Sequence, residues 1–97
     1  MIDEKKAAYL NGLGYVNSLR GHNHRALATY QIAIQRDPSN GYSYYNTAVT
    51  LQNLGDAEEA TDAYYGAGLA YIKTSDYGPA TKVFKDLEEE IKPARGS

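Results

Sequence analysis

Residues 7–40, AAYLNGLGYVNSLRGHNHRALATYQIAIQRDPSN, and residues 41–74, GYSYYNTAVTLQNLGDAEEATDAYYGAGLAYIKT, are one 34-residue unit written twice. Shifted by 34, Gly21 falls on Gly55, Ala26 on Ala60, Tyr30 on Tyr64 and Ala33 on Ala67, while Leu10, Leu13 and Gly14 meet Tyr44, Thr47 and Ala48. A period of this length, with small residues at fixed places, marks stacked helical hairpins in which each unit buries its apolar face against the next.

Inside each copy the punctuation repeats. The spacing predicts a first helix over residues 3–19, with Ala7, Leu10, Leu13, Gly14 and Asn17 on its inward stripe. Gly21 ends it by taking the left-handed conformation that other residues avoid. A second helix over residues 23–36 carries Ala26, Tyr30, Ala33 and Ile34 on one face, and Pro38 stops it because the residue before a proline avoids helical backbone. Ser39 or Asn40 caps a third helix over residues 41–54, which ends at Gly55. Asp56 with Glu59 three places on reads as an Asp version of a capping box opening a fourth helix. Gly14 with Ala26, and Ala48 with Ala60, let paired helices approach where larger side chains would clash.

From Thr61 onward a third copy begins only 20 residues after the second, with Tyr64, Ala67-Gly68, Tyr71, Asp76, Ala80, Phe84 and Leu87 in the expected places. Segment 61–74 therefore carries two signatures, as second helix of one unit and first helix of the next. No turn residue separates them, so one helix over residues 57–74 is expected, about 27 Å long, followed by a helix over residues 77–91. Ser75-Asp76 supplies its cap, and Pro79 suits a first turn, where its missing N–H would have had no partner.

The pattern resembles the tetratricopeptide repeat (TPR) family on Leu10, Leu13-Gly14, Ala26, Tyr30, Ala33 and Pro38. The resemblance implies an all-α, helical-hairpin solenoid. Residues 1–97 then form a single domain: repeat one at 7–40, repeat two at 41–74, and a C-terminal capping helix or partial third repeat at 76–92.

A chain of 97 residues suffices for one domain with one thin core. Its aromatic content is ten Tyr against one Phe and no Trp, and tyrosine supplies area while tolerating a wet edge, which suits interfaces. A formal charge of −2 creates no field that draws nucleic acid or an anionic membrane. The absence of cysteine excludes disulfides, thiolate metal sites and cysteine nucleophiles. The polar start, residues 1–6, lacks the apolar region of a signal peptide, and no run approaches the length of a membrane span. The chain is expected to be cytoplasmic and not inserted in a membrane.

Chemistry-bearing constellations are sparse. His22 and His24 have H-x-H spacing but fall in the turn after Gly21 without a third ligand nearby, so they read as solvated turn residues rather than a metal site. Gly12 and Gly14 lack the third glycine and preceding strand of a dinucleotide loop. Glu88, Glu89 and Glu90 occupy consecutive helix positions that point in different directions, which is a solvated face. No catalytic, cofactor or metal residue is assigned, and the protein is expected not to be an enzyme.

The family resemblance implies a concave groove lined by the first helix of each hairpin, taking a peptide or partner segment. The lining is Ala8, Asn11, Gly12, Tyr15 and Ser18 in unit one, and Tyr42, Tyr45, Asn46, Val49, Gln52 and Asn53 in unit two. Among these, Asn11, Tyr15, Tyr42, Tyr45, Asn46 and Val49 are the candidate protein-binding residues, the tyrosines and valine for apolar area and the amides for bonds to a partner backbone. Asn46 stands where many peptide-binding members of the family use Asn. Tyr65, directly after a core residue on the doubly signed helix, is added as a groove extension or a self-association surface. The Lys and Arg clamp by which one subgroup grips chaperone tails is missing, since Asn11, Tyr15, Asp62 and Gly66 stand at its places. The function read from the sequence is a non-enzymatic protein-binding module. The alternative is a scaffold whose C-terminal helices mediate homo-oligomerisation, because fewer than three repeats rarely complete a core.

Overall fold

In the computed structural model the backbone is described for residues 1–96 and the side chains for residues 1–89. The side chains of Glu90 and Ile91, part of the acidic run and the last expected helix, lie outside the described residues. Among the described residues five helices follow one another: α1 Glu4–Leu19, α2 Asn23–Arg36, α3 Gly41–Asn53, α4 Ala57–Lys73 and α5 Tyr77–Gly96. Each packs on the next in the chain, α1 also touches α3, and α5 packs on α4 alone among the described residues. The resulting plate measures 44 × 32 × 17 Å.

Local chemistry explains the ends. Asp3 lies outside α1 and caps it, its Oδ1 accepting from the Lys6 N–H at 3.0 Å. Between the two residues that could cap α3, Asn40 does so, accepting from the N–H groups of Tyr42 at 3.0 Å and Ser43 at 3.3 Å. The expected capping box of α4 does not form: Asp56 occupies the cap position, but its side chain makes no cap bond. Glu58 and Glu59 in the first turn meet the positive end of the helix dipole instead. Gly21 and Gly55 take the left-handed turn, at φ +80° and +86°, and between α4 and α5 Ser75 adopts it at +63°.

The core is a file of small residues interlocked with rings. Ala7, Ala26, Ala33, Ala48, Ala60 and Ala67 are buried, and Tyr30 is the largest fully buried side chain. A Cβ at Gly14 would stand 2.5 Å from the Tyr30 ring, so glycine there lets the ring lie on the α1 backbone. The same contact recurs at Gly68, where a Cβ would stand 2.5 Å from Phe84, again sixteen residues on. α4 packs on two sides: Ala60 and Ala67 are buried in the core, while Gly68 receives Phe84 of α5. Val83, Ala80 and Leu87 bury the rest of the α5 face.

One residue expected inside is outside. Leu13 is exposed, because the α1 face it occupies has no helix over it, whereas its equivalent Thr47 on α3 is buried. Tyr77 is exposed because it opens α5 one turn before the first buried residue, Ala80.

Candidate functional site

Residues 42, 45, 49 and 52 fall at i, i+3, i+7 and i+10 of α3 and so share one face. Along it run Tyr42, Tyr45, Val49 and Gln52, with Tyr42 exposed and Tyr45 and Val49 half-buried. α1 contributes Tyr15, which is exposed, and Asn11, which is buried. The Asn11 amide bridges the two helices by donating from Nδ2 to Ser43 Oγ at 2.9 Å. Asn46 lies beside this bridge on α3, only 6% exposed.

α4 extends the face with two tyrosines that the repeat alignment assigns to the core alone. Tyr45 sets its ring edge-on to Tyr64, with centroids 5.7 Å apart. The Tyr64 hydroxyl donates to Gln52 Oε1 at 2.6 Å. Tyr71 lies against Gly41, where a Cβ would be 2.6 Å from its ring, so the start of α3 is shaped to receive it. The i+7 spacing of residues 64 and 71 on one face of α4 was the available signal for their joint role. Cavities flank this strip: one of about 320 Å³ includes Gln52, Thr61, Tyr64 and Leu87 in its wall, and one of about 380 Å³ includes Tyr42, Tyr71, Asp76 and Pro79.

The hydroxyls crowd. Burial, reinforced by the neighbouring Tyr42 and Tyr15, pushes the Tyr30 phenol up to about 12. Tyr71 is raised by burial first, then by Tyr45, Tyr42 and the Asp76 carboxylate. Tyr15, Tyr30, Tyr42, Tyr45 and Tyr71 therefore form one phenolic cluster across α1 to α4. Two amide atoms on these helices lack partners: the acceptor Asn11 Oδ1 and the donor Asn46 Nδ2 are both buried and make no hydrogen bond.

The structure thus brings Asn11, Tyr15, Tyr42, Tyr45, Asn46 and Val49 to one side of the plate and leaves Tyr65 off it. Tyr65 stands edge-on to Phe84 at 5.8 Å and shares its helix face with Leu69 and Ile72. It is turned roughly 100° from Tyr64, the angle between successive helical residues. His22, at the N-cap of α2, and His24, in its first turn, are both exposed. No described helix is long and apolar enough to cross a membrane.

No curated protein matches the chain. Residues 29–62, from the middle of α2 through α3 into α4, match the family model described as tetratricopeptide repeat. That window joins the second half of one hairpin to the first half of the next, the junction where helix stacks on helix. Tetratricopeptide repeats are in general protein–protein interaction modules and typically non-enzymatic scaffolds. Together with the all-α fold of stacked hairpins, the match over these residues supports assignment of the chain to the tetratricopeptide repeat family.

Proposed function

We propose that repeats 7–40 and 41–74, with α5 as capping helix, form one binding domain whose α1–α3 face takes an extended segment of a partner protein. Asn11, Tyr15, Tyr42, Tyr45, Asn46 and Val49 make the contacts. The observation that carries this reading is the pair of unpartnered amide atoms, Asn11 Oδ1 and Asn46 Nδ2. A buried polar atom left unpaired costs about 1–3 kcal/mol, and native proteins leave few of them. One acceptor and one donor are the complement of a peptide unit, which brings an N–H and a C=O. Tyr15 and Tyr42, both exposed, shift on binding and cover the segment with apolar area and hydroxyls.

The test is selection of binding peptides from a random displayed library, followed by affinity measurements on variants. Asn46→Ala and Tyr45→Ala should each weaken the selected peptides about tenfold or more, with Tyr65→Ala unchanged. Peptides that bind all three variants equally would place recognition elsewhere and overturn the assignment.

A further inference from the structure

Two helix faces outside the groove are apolar, exposed and opposite in charge. On α1, Lys6, Tyr9, Leu13 and Val16, with Arg20 just past the helix end, follow one another at i, i+3, i+7, i+10 and i+14, a single stripe, and all are exposed. Lys6 lies over the Tyr9 ring at 5.6 Å, so the stripe has cations at both ends and apolar side chains between. On α4, Glu58, Asp62, Tyr65, Leu69 and Ile72 form a stripe at i, i+4, i+7, i+11 and i+14, also exposed throughout, with its carboxylates at the N-terminal end. Residues 1–40 hold five Lys or Arg against three Asp or Glu, and residues 41–74 hold one against four, so the local contrast follows the charge of the two units.

The repeat indicates what each face is for. A shift of 34 carries Tyr9, Leu13 and Val16 onto Ser43, Thr47 and Thr50, all buried in α3, which packs on α2. The α1 stripe is therefore the place of a helix-to-helix contact that has no helix on it. The same shift carries Tyr65 and Leu69 back onto Gln31 and Gln35 of α2. Where unit one presents amides to water, unit two presents a ring and a leucine that are 55% and 52% exposed. Exposed apolar side chains in a continuous stripe signal a contact surface.

We propose that the α4 stripe of one copy docks on the α1 stripe of a second, giving head-to-tail association of identical chains. This reaches beyond peptide binding and leaves the groove free. Pairing α1 with α1 would set cations against cations, whereas α1 with α4 brings Glu58 and Asp62 to Lys6 or Arg20 in either helix orientation. Because the two surfaces differ, the contact does not close on itself after two copies and propagates into rings or open chains. A single helix pair buries less than a standard interface of roughly 1,600 Å², so the association is weak and concentration-dependent, and salt weakens it further.

Sedimentation of the whole protein, from about 10 μM to about 1 mM at low and high salt, reads the proposal directly. The mass of the wild type should rise with concentration and fall back on adding salt. Leu13→Glu and Leu69→Glu should each remain at one chain when alone, and an equimolar mixture should form a two-chain species and nothing larger, since each supplies the face the other lacks. A wild type that stays at one chain throughout overturns the proposal. So does either variant that still self-associates, which would indicate pairing of like faces or exchange of C-terminal helices, and so does a mixture that stays unassociated. A charge-based set keeps the test independent of apolar losses: Lys6→Glu with Arg20→Glu abolishes association, and adding a copy carrying Glu58→Lys and Asp62→Lys restores it.

Discussion

Gly12 and Gly14 sit two residues apart in α1 and predict opposite outcomes for the same substitution. A Cβ at residue 12 meets nothing within 4 Å, so Gly12→Ala should stabilise by about 0.5–1 kcal/mol through backbone entropy alone. At residue 14 the new atom would be driven into the Tyr30 ring, and Gly14→Ala should cost about 1–3 kcal/mol. Urea unfolding of both variants measures the signs; equal effects would mean that Tyr30 does not rest on the α1 backbone. Tyr30 supplies a second prediction. Its phenol is held at about 12 in the folded protein against the ordinary 10.0. The raised value means that its contribution to stability is complete below pH 10 and is lost as pH climbs toward 12. The unfolding free energy should fall through that window and fall less steeply in Tyr30→Phe, a difference that urea titration at fixed pH values resolves.

At the scale of the element, the helices and their order were legible because periodicity, Gly21, Gly55 and Pro38 act locally and do not depend on what packs where. What the sequence did not disclose is which faces find a partner. Leu13 reads as core from its place in the unit, yet core position is a property of the pair of helices, and α1 has no neighbour on that side. Of the face proposed for binding, the placement of Asn11 through Val49 on one side follows from repeat position, whereas Tyr64 and Tyr71 lie beside them only because α4 packs along α3. The α4–α5 contact is testable in isolation. Gly68→Val forces branched carbons into Phe84, and since among the described residues α5 packs on α4 alone, amide exchange in α5 should accelerate by at least about tenfold while α1 and α2 keep their protection. Uniform acceleration across all five helices would show that α5 is wired into the whole core.

Across the whole molecule the packing is nearly linear, each helix resting on its chain neighbours. α3 is the exception, since it touches α1, α2 and α4 and buries Ser43, Thr47, Thr50 and Leu51. Opening should therefore proceed inward from both ends, with the amides of α3 the slowest to exchange and those of α5 the fastest. An order in which α1 or α5 outlasts α3 would contradict the linear scheme.

The double service of α4 has one more consequence. Its residues are letters read in two overlapping frames, offset by 20 positions, and both readings must remain sense. Ala67 stands at the place of Ala33 in one frame and at the place of Leu13, beside the close-packed glycine, in the other. A change elsewhere in the chain has one grammar to satisfy; a change at Ala67 has two. Mutational tolerance should reach its minimum in the middle of α4.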